Sequence, residues 1–321
     1  MKFKLIGILA IMILLVIILG IMFIPTAKTS DGFQDIQNWE IYDYSKQSLG
    51  NYLEGYTGTI VEKKFVYFVS HDSSLGKHGE VLRYDTSQEF DSVEAWSTFD
   101  ASKNGVGNNA NGFADGIFDG QFVYFVPLFN NENFHGEVLR YDTSQEFDSV
   151  EAWSTFDAGN FGIGFHPDGY SGIVSDGQFL YFAPYHNGAN FHGEVLRYDT
   201  HQEFDSVEAW STFDASKNGV GYDATGYWGG TFDGQFVYFS PDWNSDGPII
   251  AEPHGEVLRY DTHQEFDSVE AWSTFDASKN GVGSDATGYW GAVYGGGAIY
   301  FAPSFYNGVP HGTVLKYNIG E

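Results

Sequence analysis

The sequence predicts an all-β fold built from five repeated units of four strands. Gly (40), Phe (29) and Tyr (21) are frequent among the 321 residues, and this composition is typical of strands joined by tight turns. The segment HGEVLRYDT begins at His78, His135, His192 and His254, and a variant, HGTVLKYN, begins at His311. These starting points lie 57, 57, 62 and 57 residues apart. A period of this length is the signature of a repeat fold.

Each unit contains four short apolar segments, which we name strands a, b, c and d. In the third unit strand a is GYSGIVSDG (169–177), and in the second unit strand b is QFVYFVP (121–127). Strand c opens with the repeated histidine, and strand d is AWSTFD. Asp-Gly pairs such as Asp119-Gly120 predict tight hairpins between strands a and b. The capping-box spacing of 91–94 predicts one helical turn between strands c and d.

The last unit has no strand d at its end, and a matching segment is found near the N-terminus. FQDIQNWEIYD (33–43) aligns with FDSVEAWSTFD (90–100) at the same offset of 57 residues. Four-stranded antiparallel units repeated in this way describe the blades of a β-propeller. We therefore predict a five-bladed β-propeller whose N-terminal strand, 33–44, joins the C-terminal blade and closes the ring. The blades are expected at about 55–100, 112–157, 169–214, 226–276 and 288–319.

Over residues 33–319 the chain resembles five-bladed β-propeller repeat proteins of the cell surface. The resemblance is carried by bacterial and archaeal units of the form YVYFxPY…HGxVLRYDT. The chain lacks the Gly-His and Trp-Asp signature of WD40 repeats. Its double glycines, Gly229-Gly230 and Gly295-Gly296, are not in the register of kelch repeats. The resemblance implies a fold, and a fold by itself does not give a function.

The N-terminal sequence predicts a membrane anchor. Leu5–Ile24 carries no charge, and its length matches the roughly 20 apolar residues that cross a bilayer, whereas a cleaved signal has about 7–15. Lys2 and Lys4 favour a cytoplasmic N-terminus. We expect a cytoplasmic stub (1–4), a single transmembrane segment (5–24), a linker (25–32) and an extracytoplasmic domain (33–321). A cleaved signal peptide is the alternative.

The net charge limits the partners. There are 43 acidic and 15 basic side chains, which give a formal charge of −28. This charge repels phosphate backbones, so nucleic-acid binding is not expected. The acidic charge is consistent with cation binding, with a saline medium, or with solubility alone. Cysteine is absent, which excludes disulfides and thiolate metal sites.

The residues common to all units are expected to maintain the fold. A histidine that opens strand c lies about 10 Å outward from strand a, so five of them cannot share one ion with bonds near 2 Å. We expect each imidazole to tie a loop to its own blade. The Arg and Asp of LRYD are expected to pair across strands, and the Trp of strand d to pack between blades.

A binding site is expected where the units differ, on the face formed by the b–c loops and the starts of strands a. Aromatic rings beside amide and carboxylate groups suit sugar rings, whose C–H faces stack while their hydroxyls form hydrogen bonds. We predict an extracytoplasmic module for glycans or another surface polymer, on the face away from the membrane. The alternative is a self-assembling or adhesive surface protein with a surface protein as its partner. The candidate ligand-binding residues are Trp228, Trp290, Trp243, Tyr227, Tyr289, Tyr185 and Tyr306.

The fourth unit is longer and carries a candidate calcium loop. Asp242, Asn244, Asp246 and Gly247 match the D-x-[DN]-x-[DN]-G opening, in which oxygens wrap a hard cation. The twelfth position is Pro253 and the acid comes one residue earlier, which excludes a complete EF-hand. We predict that Ca²⁺ is held by Asp242, Asn244, Asp246 and Glu252. A polar turn stabilised by local hydrogen bonds is the alternative.

An enzyme is the less favoured reading. Glycoside hydrolases need two carboxylates roughly 5–9.5 Å apart. Asp115 stands where the other strands a have glycine, and Asp168, Asp223 and Asp285 lie in d–a loops. Asp223 and Asp285 occur in near-copies, GYDATGYWG and GSDATGYWG, which suggests duplication more than an acid–base pair. We find no nucleophile elbow and no phosphate loop.

Overall fold

The structure is a computed structural model that describes residues 35–43, 46–47, 50, 54–108, 110–222, 224–245, 251–306 and 309–320. The predicted transmembrane segment, 5–24, lies outside these ranges. Among the described residues, no helix has the length and apolar character needed to cross a membrane. The chain divides into two compact units, Met1–Tyr42 and Asp43–Glu321.

The second unit consists of repeated antiparallel sheets. Four sheets have four strands each, in the order a, b, c, d along the chain, and the fifth has three. The first sheet contains β1 (Tyr56–Glu62), β2 (Phe65–Ser70), β5 (Glu80–Asp85) and β6 (Trp96–Asp100). The second contains β7 (Phe113–Phe118), β8 (Phe122–Pro127), β9 (Glu137–Asp142) and β10 (Trp153–Asp157). The third contains β11 (Tyr170–Ser175), β12 (Phe179–Pro184), β13 (Glu194–Asp199) and β14 (Trp210–Asp214).

The last two sheets follow the same plan. The fourth contains β15 (Tyr227–Phe232), β16 (Phe236–Pro241), β19 (Glu256–Asp261) and β20 (Trp272–Asp276). The fifth contains β21 (Tyr289–Gly295), β22 (Ala298–Pro303) and β25 (Leu315–Asn318). Small hairpins occupy b–c loops: β3 (Asp72–Ser73) with β4 (Gly76–Lys77), β17 (Trp243–Ser245) with β18 (Ala251–Pro253), and β23 (Phe305–Tyr306) with β24 (Val309–Pro310). The all-β class and the repeated four-stranded unit are confirmed.

The predicted hairpins between strands a and b form as expected. In the second sheet the backbone N–H groups of Gln121 and Phe122 donate to Asp119 Oδ1 at 2.8 and 2.7 Å. The Tyr124 hydroxyl donates to Asp119 Oδ2 at 2.9 Å. Gly120 has φ 112°, a conformation that glycine adopts without steric cost. The aspartate therefore organises the turn and anchors a tyrosine of strand b.

Strand d is preceded by a short 3₁₀ turn in each of the first four sheets. The predicted helical turn is confirmed as a 3₁₀ turn, but its N-cap is Ser92, one residue after the Asp91 that opens the predicted capping box. The Ser92 hydroxyl donates to the Glu94 carboxylate at 2.6 Å and makes no hydrogen bond to the turn's backbone. The turns are Val93–Ala95, Val150–Ala152, Val207–Ala209 and Val269–Ala271, with a further 3₁₀ turn at Ala158–Phe161.

The first unit contains the same turn. Ile36–Asn38 is a 3₁₀ turn, and the N–H of the extended residue after it, Trp39, donates to the Ile36 carbonyl. Trp96 follows Val93–Ala95 with the same bond. The described residues of this unit contain no β-strand.

Aromatic stacking joins neighbouring sheets. The Trp153 ring of β10 stacks on Phe99 of the preceding sheet, with centroids 4.6 Å apart and planes 5° from parallel. It also packs on Tyr141 of its own sheet at 4.7 Å. Trp210 stacks on Phe156 and Trp272 on Phe213 in the same way. The expectation that the strand-d Trp packs between sheets is confirmed.

The arginine of strand c also lies between sheets, and here the sequence expectation was wrong. The Arg140 guanidinium lies 4.2 Å from the ring centres of both Phe122 and Phe204. Asp142 instead accepts from the N–H and hydroxyl of Ser144, at 3.0 and 2.7 Å. The pairing fails because the arginine enters the gap between sheets, whereas the aspartate ends its strand and holds the turn.

The sheets follow one another in a propeller-like order. The inner strands β1, β7, β11, β15 and β21 each pack on the next. Among the described residues β1 and β21 do not pack in this manner, so the part of the chain that the structure describes shows no closed ring. In the described residues the fifth sheet has no strand d, and residues 35–43 of the predicted closing strand, 33–44, contain a 3₁₀ turn and no β-strand.

Four of the five repeated histidines, His78, His135, His192 and His254, are buried structural residues. His135 Nε2 forms a hydrogen bond with the Asn111 carbonyl at 2.9 Å, and its ring packs edge-on against Phe113 with centroids 6.3 Å apart. This bond joins the start of strand c to the loop before strand a. Burial lowers the pKa of His135, His192 and His254 to about 4, so these imidazoles are neutral at pH 7.

Acidification is expected to destabilise the protein through these histidines. The unfolded value is about 6.5, so the unfolded chain binds more protons between pH 6.5 and 4, and stability falls as the pH drops through that window. One such histidine would cost on the order of 2 kcal/mol at pH 5. We predict that His135→Gln reduces the difference in unfolding free energy between pH 7 and pH 5 by about that amount, measured by urea denaturation. The exposed His201→Gln should leave the difference unchanged, and equal effects of the two variants would contradict the prediction.

Candidate ligand-binding site

The sheets differ at the start of strand a, where a bulge interrupts pairing after the first aromatic residue. In β1 pairing resumes at Gly58, and in β7 and β11 at the matching residues. In β15 and β21 it resumes one residue later, at Gly230 and Ala292. Gly229 and Gly291 there have φ 71° and 130°. A bulge redirects the side chains beside it, and in these two strands those side chains are Trp228 and Trp290.

Three of the predicted ligand-binding residues meet at this place. The Trp228 and Trp290 rings have centroids 5.8 Å apart and planes 31° from parallel. Tyr185, which directly follows β12 of the third sheet, meets Trp228 edge-on at 5.0 Å. Trp290 is 52% exposed, and Trp228 and Tyr185 are half-buried. We call Tyr185, Trp228 and Trp290 the aromatic cluster.

A buried acid lies beside the aromatic cluster. Asp242 directly follows β16, and its N–H donates to the Gly226 carbonyl at 3.0 Å while its own carbonyl accepts from His254 N–H at 3.0 Å. The side chain is 1% exposed. Among the described residues neither carboxylate oxygen has a hydrogen-bond partner. Burial raises the pKa of Asp242 to about 8, and the nearby Trp290 indole and Ser304 hydroxyl oppose the shift without forming hydrogen bonds that satisfy those oxygens.

Two predicted ligand-binding residues lie outside this site. Tyr227 and Tyr289 are completely buried, and they pack edge-on against His254 and His311 with centroids 5.6 and 6.0 Å apart. A ligand bound on the face of the b–c loops cannot touch these two side chains, so we exclude them from the candidate ligand-binding site. Their presence in every unit as Tyr or Phe already indicated a packing role.

The other two predicted ligand-binding residues are Trp243 and Tyr306. Trp243 is half-buried in β17, and alternation along an extended strand turns it to the other side from Asp242. Tyr306 lies in β23, and its side chain is outside the described part of the structure.

The predicted calcium loop is described only at its two ends. Asn244 of β17 pairs with Glu252 of β18 in an antiparallel ladder; Asn244 is buried and Glu252 exposed. Asp246 and Gly247 lie outside the described residues. Within the described ranges no three acidic or histidine side chains are grouped so that they could hold a metal ion. Calcium binding by this loop stays a prediction.

The candidate catalytic acids occupy separate environments. Burial raises the pKa of Asp115 to about 6 against hydrogen bonds from the Gly116 and Ile173 backbone. Burial, with Asp157 as a second cause, raises the pKa of Asp168 to about 6. Asp285 accepts a hydrogen bond from the Thr313 hydroxyl at 2.9 Å, and Asp223 lies outside the described residues.

Sequence reasoning missed Ser304 and the place of Asp242 beside the aromatic cluster. Both residues come directly after strand b. The five residues at that position are all different: His71, Leu128, Tyr185, Asp242 and Ser304. That variability was the available signal, because the rest of strand b is nearly constant.

No protein-family model matches this chain, and the comparison with curated proteins gives no match. The site is therefore argued from its own geometry.

The positive φ at Gly291 gives a direct test of how Trp290 is positioned. A Cβ there would meet no atom within 4 Å, so the cost of Gly291→Ala is backbone strain of about 1 kcal/mol or more. We predict a lower unfolding free energy and an altered tryptophan emission spectrum, because the strand must shift Trp290 to relieve the strain. Gly58→Ala, whose Cβ would lie an ordinary 3.6 Å from Val69, should change neither by much. Indistinguishable variants would show that Gly291 does not position Trp290.

Proposed function

We propose that this protein is an extracytoplasmic binding module that holds a glycan or another surface polymer against the aromatic cluster. The observation that carries the proposal is the meeting of Trp228, Trp290 and Tyr185 at the junction of three sheets. This is where the repeated units differ, and two of the three rings are unique to the last two units. Indole faces stack on the C–H faces of sugars, and nearby polar groups bind hydroxyls.

The proposal includes a membrane anchor. Leu5–Ile24 would hold the protein in the cell membrane by a single pass, with Lys2 and Lys4 on the cytoplasmic side. The net charge of −28 would keep the domain from adhering to anionic lipid. The face bearing the aromatic cluster would then point away from the membrane.

A glycan array probed with the full chain in detergent micelles tests the proposed ligand class. We expect saccharide-specific signal that is lost in Trp228→Ala and in Trp290→Ala. Tyr294→Ala, a partly exposed aromatic at the other end of the same strand as Trp290, is the control and should bind normally. Repeating the array with a chelator tests whether binding requires calcium, because loss of the saccharide signal in chelator would place the ion in the site. A blank array with folded protein would remove the saccharide hypothesis.

We also propose that Phe33–Asp43 supplies strand d of the fifth sheet and closes a five-bladed β-propeller. A groove of about 590 Å³ lies between the fourth and fifth sheets, lined by apolar residues that include Val257, Phe275, Leu315 and Tyr317. Phe275 is 53% exposed, whereas its equivalent Phe213 is 5% exposed under a stacked Trp.

The N-terminal segment has the features that this groove would need. Trp39 occupies the sequence position of the stacking Trp, and the turn Ile36–Asn38 matches the turn before every other strand d. Phe33 occupies the position of the ring that covers each arginine of the preceding sheet, as Phe204 covers Arg140. These correspondences support closure by the chain's own N-terminus.

A double-mutant cycle tests this closure. If Trp39 stacks on Phe275, Trp39→Ala and Phe275→Ala will each destabilise the protein, and their effects will be non-additive by about 0.5–1.5 kcal/mol. Trp39→Ala combined with Phe213→Ala is the matched control and should be additive. The unfolding free energies from urea denaturation decide the matter, and strict additivity in both cycles would exclude the stack.

Self-assembly is a second candidate, favoured by the edge of β25, with which no strand of the described residues pairs. An open strand edge can pair with another chain. If the edge joins copies of the protein, the sedimentation coefficient will rise with protein concentration in analytical ultracentrifugation, and Trp228→Ala will not prevent the rise. A concentration-independent monomer would exclude this candidate.

A further inference from the structure

The acid beside the aromatic cluster lacks any counter-charge within the described chain. Asp242 is 1% exposed, and no Lys, Arg or His of the described residues forms an ion pair with it. The groups that act on its carboxyl are the Trp290 indole and the Ser304 hydroxyl, both of them neutral. A buried carboxylate is costly unless it is paired. No cation of the described residues therefore balances Asp242 when it is ionised.

The unsatisfied atoms around this acid can be counted. Among the described residues Asp242 Oδ1, Asp242 Oδ2 and Ser304 Oγ are all buried without a hydrogen-bond partner. When the acid is ionised, both carboxylate oxygens can accept hydrogen bonds and neither can donate one. The Ser304 hydroxyl oxygen can also accept. A primary ammonium group has three N–H donors and one positive charge. Its donors and its charge therefore match what this pocket lacks.

The aromatic cluster suits the same ion. Trp228 and Trp290 offer indole faces, with the Tyr185 ring edge-on beside them. Indoles are the strongest of the aromatic partners for cations, and the interaction strengthens when the cation is desolvated. The net charge of −28 raises the local concentration of cations.

We propose that Asp242, Ser304 and the aromatic cluster form a site for a primary ammonium group. The ammonium donates to the Asp242 carboxylate and the Ser304 hydroxyl, and the carbon skeleton next to it lies on the indoles. The inference rests on the proposed function, since the amine would belong to the bound surface polymer. Asp242 is closed off from solvent, and among its neighbours Trp290 is more than half exposed, so this indole moves when the amine enters.

Comparing two small molecules of equal size, one charged and one neutral, measures the contribution of the ammonium charge to binding. n-Butylamine, protonated at pH 8, and 1-butanol are titrated by calorimetry into the full chain in detergent micelles, with EDTA present so that calcium does not compete for Asp242. We expect n-butylamine to bind at least about tenfold more tightly than 1-butanol. Choline, which is charged but has no N–H, should bind more weakly than n-butylamine.

Three variants test which residues cause the preference for the amine over the alcohol. Asp242→Asn keeps the shape of the side chain, and it should reduce the preference for the amine to within about threefold while 1-butanol binds as before. Ser304→Ala should weaken the amine by a smaller factor. Glu132→Gln removes an exposed acid from another b–c loop, and it should leave the preference intact.

The outcomes separate this inference from the proposed function. Equal binding of amine and alcohol, a preference that survives Asp242→Asn, or choline as good as n-butylamine would each overturn the ammonium site. If the array then still shows neutral saccharides bound through Trp228, the proposed function stands without it. An Asp242-dependent preference for the amine together with a blank array would keep the ammonium site and remove the saccharide ligand. Failure of both experiments would reject both ideas.

Discussion

The fold depends on the stack between the Trp of each strand d and the Phe of the strand d before it. The rings of Trp210 and Phe156 lie 4.6 Å apart and 3° from parallel, and the same pair recurs between every two neighbouring sheets among the first four. A single sheet of this size cannot bury its apolar faces alone. The stack supplies that burial, and the arginine held between two rings extends it. Because the same few side chains repeat the contact at a period of about 57 residues, the sheets follow one another in a fixed geometry.

This repetition leaves little of the sequence available for function. The residues within strands b, c and d are committed to the packing between sheets, and the buried histidine at the start of each strand c holds the loops in place. The units vary at the starts of strands a and at the positions directly after strands b. The aromatic cluster arises there because Trp228 and Trp290 belong to adjacent units and Tyr185 to the unit before them. No single unit contains the site.

Charge is distributed unevenly between the packed region between the sheets and the variable ends of the strands. His135, His192 and His254 are neutral at pH 7 because burial lowers their pKa, and the arginines are covered by aromatic rings, so the packed region holds few uncompensated charges. Asp242 differs from the similarly buried Glu137 and Glu194, whose carboxylates accept hydrogen bonds from backbone N–H groups, because neither of its own carboxylate oxygens has a hydrogen-bond partner in the described chain. An uncompensated buried acid costs stability, and the neighbouring indoles are partly open to solvent. This contrast supports the junction of the last two sheets as the proposed binding site.

The sequence by itself determined the all-β class, the repeated unit of four strands, the Asp-Gly hairpins and the packing of the strand-d Trp between sheets. These follow from local turn chemistry and from periodicity, which act over a few residues or recur at a fixed interval. The tertiary structure decided that Arg140 lies between two phenylalanines, that Tyr227 and Tyr289 are buried, and that Asp242 lies beside Trp290. Each of these depends on side chains from another strand or another unit, some of them more than forty residues away. A repeat pattern shows which residues are equivalent, but the gap between two sheets determines which of them touch.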